Sequence, residues 1–193
     1  MHRFFADERG VVQGVAYLNA EDAGHALSVL RLESGDEVEL VCAPARYRAK
    51  IDSTEGGEVR LRVIEKLRDT EAKTRVTLYQ GLPKADKMEL IVQKSTELGA
   101  AAIAPVAMIR SVVKLEGKDA AKKTERWQKI AREAVKQCAR VSAPEIRLPR
   151  KLSAMREELN ALDVLIVPWE DARDGSVADC LAPFAQKEDV SVG

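Results

Sequence analysis

Four short stretches hold the residues best placed to do chemistry: Gln80-Gly81-Leu82-Pro83-Lys84, Met108 to Ser111, Pro168-Trp169-Glu170, and the chain at and beyond Gly193. Each follows an apolar run with strand character, and an open parallel sheet binds its ligands beyond the carboxyl ends of its strands. Lys84 and Arg110 bring cations to these positions, Trp169 a large ring and Glu170 a carboxylate. No GxGxxG or GxxxxGK[ST] fingerprint accompanies them, so a dinucleotide fold or a P-loop NTPase has little support. No Ser or Cys stands in a hydrolase elbow. Two histidines, His2 and His25, without a CxxC pair argue against a zinc site, and His25 reads as a packing or hydrogen-bonding residue rather than a catalyst. Residue types thus mark positions but name no reaction and no catalytic base.

The elements that must position these loops centre on Val76 to Val106. A β-rich run, Val76-Thr77-Leu78-Tyr79, breaks at Gly81 and Pro83. Asp86 with Glu89 three residues on makes an N-cap and capping-box pair. Met88, Ile91, Val92, Ser95 and Leu98 then fall at helical spacing as one buried stripe. Gly99 suits a left-handed C-terminal cap, and Ala100 to Val106 is a continuous apolar run, as in a strand buried on both faces. Strand, capped helix and buried strand read as a βαβ unit of a parallel sheet.

Residues 1–70 differ in character. Glu37 to Leu40 and Glu58 to Val63 alternate with period two, and Gly35-Asp36 and Gly56-Gly57 supply turns. Half-buried antiparallel strands and a small barrel are predicted, with one short helix over Ala20 to Leu30 that turns Leu27 and Leu30 inward. The apolar-poor stretch Lys66 to Arg75 marks the boundary. Downstream, Trp127, Ile130, Ala131, Ala134, Val135 and Cys138 define a long amphipathic helix, with Lys122, Arg126, Lys129, Lys136 and Arg140 on its other side. Glu145 to Leu148 reads as an edge strand between prolines. A helix follows from Ser153 with Met155, Leu159 and Leu162 inward. Val164 to Val167 reads as a second fully apolar strand, Ser176 to Phe184 as a helix, and Val190 to Gly193 as the start of another strand.

The 193 residues carry no net charge, but the charge is segregated. Residues 71–151 hold 18 basic and 9 acidic side chains, while residues 1–70 and 152–193 are net acidic. A basic segment between acidic ones is what a polyanion footprint looks like, although a solvated helical face gives the same count. Cys42, Cys138 and Cys180 read as reduced thiols. No run of transmembrane length and no signal peptide is visible, so a cytoplasmic protein is expected.

The segments GLPKADKMELIVQKSTELG, IAPV and ERWQKIAREAVKQCARVSAPEI, together with HALSVLRLESGDEV near the start, resemble the ribosomal RNA small subunit methyltransferase E family of the SPOUT superfamily of knotted methyltransferases. The resemblance implies an α/β fold: a PUA-like, RNA-holding β-barrel over 1–70 and a parallel-sheet SPOUT domain over 74–193. It implies S-adenosylmethionine as cofactor and methyl transfer to ring nitrogen 3 of one uridine in 16S rRNA, by a homodimer. Pro168, Trp169, Glu170 and Gly193 are the implied cofactor neighbours. Arg3, Arg31, Lys84, Lys94 and Arg110 match basic positions of the family and are candidates for RNA phosphate contacts. Lys94, with Glu97 three residues on, suits an ion pair equally well or better. Gln137 and Arg140 could serve a subunit interface or lie on a helix surface. In the family the last strand runs into a GPEGG-type loop and, later, an L-R-x-E-T-A segment that forms the knot and most of the cofactor pocket. The sequence stops at Gly193, so a chain truncated before the knot is expected. A non-catalytic RNA-binding protein with a basic α/β domain is the alternative, separated from the enzyme by what the gene encodes past Gly193.

Overall fold

The computed structural model spans residues 1–193 and describes all of them except 69–70, 85–86, 110–114, 139, 170, 172–174 and 188. The chain divides into two compact units, Met1–Thr70 and Glu71–Gly193.

In the first unit a mixed sheet has the order β1 (His2–Phe5), β3 (Glu37–Cys42), β4 (Ala45–Ser53), β5 (Arg60–Lys66), β2 (Val15–Tyr17). The meander β3–β4–β5 is antiparallel, as the alternation of Glu37 to Leu40 and Glu58 to Val63 predicts, but β1 lies parallel to β3. An antiparallel bridge between Ala6 and Leu18 ties the two edges together. Asp7 N–H donates to Tyr17 C=O, and Asn19 N–H to Phe5 C=O. The sheet is therefore curled, its edge groups satisfied by one another rather than left open. Inside lie Phe4, Leu18, Val38, Leu40, Ile51 and Leu61. The helix expected over Ala20 to Leu30 is present but less regular. α1 (Ala20–Gly24), capped by the Asn19 side chain, passes at once into a π-turn at His25–Val29. Leu27 and Leu30 still pack against the core.

The second unit is built on a parallel sheet of order β10 (Ser191–Val192), β6 (Arg75–Gly81), β7 (Ala102–Ala107), β8 (Glu145–Ile146), with β9 (Arg150–Lys151) also pairing β7. β7 is central and nearly all buried, as its apolar run requires. Its alternate residues face two different layers. Ile103 packs with Met88 and Val92 of α2 (Lys87–Glu97) and with Trp127 and Ala131 of α3 (Gly117–Cys138). Ala104 and Val106 pack with Met155 and, beyond it, Tyr79 and Leu159. Leu159 belongs to α4 (Arg156–Asn160), so helices cover both faces of the sheet.

Two expectations change and one stays untested. The capping residue Asp86 lies outside the described residues. The buried stripe of α2 is Met88, Val92 and Thr96, spaced by four, with Leu98 87% exposed. Leu98 lies past the last helical turn, where Gly99 at φ +99° swings the chain round, and the Ala100 N–H donates back to the Ser95 carbonyl. Thr96 is buried because its hydroxyl donates to the Val92 carbonyl at 2.7 Å. Val164 to Val167 is not buried on both faces: Leu165 and Val167 are exposed, and the segment runs at the sheet's edge. A short α5 (Val177–Leu181) precedes β10, its Ser176 and Asp179 forming a capping box.

Arg140, read from sequence as part of the basic helix face or of a subunit interface, is turned inward instead. Its Nη2 and Nε donate to Glu71 Oε2 at 2.8 and 3.1 Å. Its Nη1 donates to the carbonyls of Thr96 and Ala100 at 3.1 and 2.8 Å. Glu71 Oε1 accepts the Val141 N–H at 2.7 Å. Burial pushes the Glu71 carboxyl up, but the bonds from Arg140 and Val141 more than reverse this and hold it below the usual carboxylate range. A lowered folded value means that stabilisation is complete above the ordinary value near 4.5 and is lost as pH falls through the folded one. Glu71→Gln is expected to cost about 1–3 kcal/mol at neutral pH. Urea unfolding should show that difference closing progressively as the pH is lowered from 4.5 toward 3.

Candidate functional site at the strand ends

β6, β7 and β9 run in one direction and end together at one edge of the sheet, while β10, parallel to them, ends beside the first residues of β6 and short of that edge. Gly193 follows β10 directly. Its N–H donates to the Val164 carbonyl at 3.0 Å, and its own carbonyl accepts the Ile166 N–H at 2.8 Å. Residues 164–166 therefore lie alongside β10, and Pro168 and Trp169 follow them. Both are exposed, Trp169 by 66%. β10 meets β6 only at Arg75 and Val76, whereas β6 continues to Gly81. Among the described residues no strand pairs with 78–81 on that side. The turn after β6 is close-packed: a Cβ on Gly81 would stand 3.3 Å from Met108 Cγ.

Pro168 and Trp169 thus follow the segment that bonds Gly193, and Lys84 is exposed just past the end of β6. Glu170 and Arg110 lie outside the described residues. Lys94 sits on the outer side of α2 and pairs with Glu97 at 2.7 Å, which lowers the Glu97 pKa. In the first unit Arg3 is largely enclosed, its Nε 3.4 Å from Glu39 Oε1, a carboxylate that Arg46 also reaches at 3.3 Å. Arg31 is exposed, at the left-handed φ of +55°.

Sequence patterns did not single out a polar cluster beneath this edge. Tyr79 of β6 donates its phenol proton to Glu158 Oε1 at 2.7 Å, and Arg147 and Arg150 bond the same carboxylate. Burial and the Glu158 charge raise the Tyr79 pKa; burial raises that of Glu158, which its donors bring below the usual range. The phenol is therefore a fixed donor and the carboxylate a fixed acceptor. The Tyr79 ring also lies against Gly193, where an added Cβ would stand 2.8 Å from Cε2 and closer still to Leu162 Cδ1. Tyr79 was visible as a polar handle in an apolar strand. Its partners, 68 to 79 residues away, were not. A second carboxylate, Asp163, accepts both the N–H and the hydroxyl of Ser191 and pairs with Lys187, which holds it well below the usual range.

Residues 70–192 match the RNA methyltransferase domain family. The chain belongs to this family, which its similarity to ribosomal RNA small subunit methyltransferase E makes more specific. It is 36% identical to that protein of Bacillus subtilis over 80% of this chain and 61% of the relative, so the chain spans about three fifths of that relative's length. A Legionella pneumophila protein solved with the cofactor S-adenosylmethionine bound is 30% identical, with a TM-score of 0.69 over 98% of this chain and 77% of that one. A ribosomal RNA small subunit methyltransferase E from Neisseria gonorrhoeae, bound to S-adenosylmethionine, is 26% identical, with a TM-score of 0.68 over 100% of this chain and 78% of that one. Like these neighbours, this RNA methyltransferase family member pairs a curled mixed sheet with a parallel one. Among its described residues no helix is long and apolar enough to cross a membrane, and no group of three or more His, Cys, Asp or Glu could hold a metal ion.

The close packing at Gly193 makes a direct expectation. Gly193→Ala should destabilise the second unit by about 1–3 kcal/mol through overpacking. Leu162→Ala opens the side on which the new methyl collides, so the double variant should recover part of that loss, read as a coupling energy in denaturant unfolding. Strictly additive losses would show that the contact is not tight.

Proposed function

We propose that the protein is an S-adenosylmethionine-dependent methyltransferase that modifies ring nitrogen 3 of one uridine in 16S rRNA of the small ribosomal subunit. The observation that carries this reading is the match of residues 70–192 to an RNA methyltransferase domain; a parallel sheet with residues 164–166 alongside β10 at its edge supports it. The names of the similar proteins supply the rRNA of the small subunit and the cofactor.

The residues at that edge fit such a cofactor. Trp169 offers a large exposed ring for an adenine, and the β10-facing backbone of 78–81 offers hydrogen-bonding groups that no strand of the described residues takes up. Pro168, Trp169, Glu170 and Gly193 are the residues assigned to hold it. When bound, S-adenosylmethionine supplies an electrophilic sulfonium methyl group. The chain's own contribution is orientation: Tyr79, fixed by Glu158, sets the position of Gly193, and a uridine nitrogen placed here must lose its proton to become a nucleophile. That nitrogen lies on the pairing edge of the base, so the nucleotide must leave its stack. No base is assigned among the residues of this chain.

Arg3, Arg31, Lys84, Lys94 and Arg110 are the proposed phosphate contacts, with Lys94 and Arg3 the weakest because each faces a carboxylate. The curled sheet of the first unit serves as a PUA-like, RNA-holding barrel. The second unit is of the knotted SPOUT type, acting as a homodimer in the cytoplasm during ribosome biogenesis.

The test uses protein translated from the whole reading frame. Calorimetry should show binding of S-adenosylmethionine, and small subunits or their rRNA should gain one methyl, mapped to N3 of a single uridine by mass spectrometry. Trp169→Ala should weaken cofactor binding by about tenfold or more, from loss of one stacked ring. Salt-sensitive RNA binding without cofactor binding or methyl transfer would overturn the reading.

A further inference from the structure

Helix α3 carries seven cationic and three acidic side chains in 22 residues. Trp127, Ala131, Ala134 and Val135 are buried and fix which side of it faces the unit. At 100° per residue, Lys118, Lys122, Lys129 and Lys136 then fall within about 40° of one another on the opposite side. The row is about 27 Å long at 1.5 Å per residue. Lys118, Lys122 and Lys129 are exposed, as is the flanking Arg132.

The acidic groups near this row are Glu125 and Glu133 on α3, Asp119 at its start, and Glu89 on α2. Glu89 pairs with Arg126 at 2.9 Å and Glu133 with Lys136 at 3.5 Å. Among the described residues Lys118, Lys122, Lys129 and Arg132 enter no ion pair. Glu125 falls in the same stripe, three residues past Lys122 and four before Lys129, so the row is one carboxylate among four ammonium groups and stays net cationic. A groove of about 460 Å³ beside the row, between α2 and α3, has Glu89, Gln93, Ile130 and Glu133 in its walls. Arg126 and Lys129 also line it, so its charges balance, whereas the crest of α3 carries an excess of cations.

The topology gives this row a direction. β7 and β8 are parallel, so α3 between them must run back across the sheet, from the carboxyl edge of β7 toward the amino end of β8. Lys118 therefore stands near the strand-end site, and Lys136 far from it.

We infer that the outer face of α3 is a rail for the phosphate backbone of RNA, leading away from the strand-end site. The identity of the partner as RNA rests on the proposed function; the rail rests on the placement of the cations. It holds RNA without reading sequence, because ammonium groups contact phosphate and not base edges.

The test is the variant Lys118→Gln/Lys122→Gln/Lys129→Gln in protein from the whole reading frame, with deproteinised 16S rRNA as probe. All three positions are exposed, so circular dichroism should be unchanged. Filter binding at several salt concentrations should show affinity reduced about tenfold or more, and the slope of log affinity against log salt reduced by about two to three. In methyl transfer the rail should show as a raised KM for RNA at unchanged kcat. Unchanged affinity and slope, with wild type still binding RNA, would overturn the rail. So would a variant that keeps its RNA affinity but loses a salt-sensitive self-association, which would give this face to the acidic 152–193 segment of a second copy. The two proposals fail separately: RNA binding that needs these lysines, without methyl transfer, keeps the rail and removes the enzyme.

Discussion

The second unit depends on one charge in an enclosed place. The Arg140 guanidinium is only 12% exposed, so its donors must be satisfied by the protein. Glu71 takes two of its bonds, and the carbonyls of Thr96 and Ala100 take the others. Those carbonyls end α2 and open the turn to β7, where a helix presents unsatisfied acceptors and partial negative charge. Glu71 in turn holds the Val141 N–H just past α3 and precedes β6 by four residues. A single ion pair thus joins the lead into β6, the end of α2 and the exit of α3, three points far apart in sequence. Because both partners also bond the backbone at separate points, the pair acts as a shared constraint and not as a surface salt bridge.

That arrangement explains how far the sequence could be read. Elements set by neighbours within about 20 residues were legible: the period-two strands β3 and β5, the all-apolar β7, the α3 stripe and the Gly99 turn. Each is fixed by local burial pattern or by backbone conformation. Two failures were local in origin, and a third came where a distant partner decided the outcome. Leu98 fitted the helical stripe but lies past the point where Gly99 redirects the chain. Thr96 was passed over as polar, although bonding its hydroxyl to Val92 let it be buried. Arg140 looked like one more cation on a basic helix, because its carboxylate partner is 69 residues earlier.

The strand-end site shows the same division. That β6, β7 and β10 should share one parallel sheet followed from their apolar runs. What holds them did not. Tyr79, Glu158, Arg147 and Arg150 come from a strand, a helix and the two sides of Pro149. Nothing in their spacing announces that they converge. The apolar content of Val164 to Val167 suggested full burial, yet Leu165 and Val167 point outward from an edge. Composition reports hydrophobicity but not how many neighbours a strand has.

β10 makes the point most sharply. Two ladder residues cannot hold a strand in place by themselves. Its position comes from groups around it. Arg75 N–H donates to the Val190 carbonyl at 2.8 Å, Asp163 captures the N–H and hydroxyl of Ser191, and the Tyr79 ring and Leu162 close on Gly193. Gly193 is required there because any side chain would meet that ring. The same tyrosine is held from behind by Glu158 and its two arginines, so the end of β10 is located by a chain of contacts reaching back through the sheet. The residues that fix the site are therefore mostly not those expected to touch a ligand. Pro168 and Trp169 inherit their place from 164–166, which inherits its place from β10. A change at Glu158 or Asp163 would for that reason move the site without touching it.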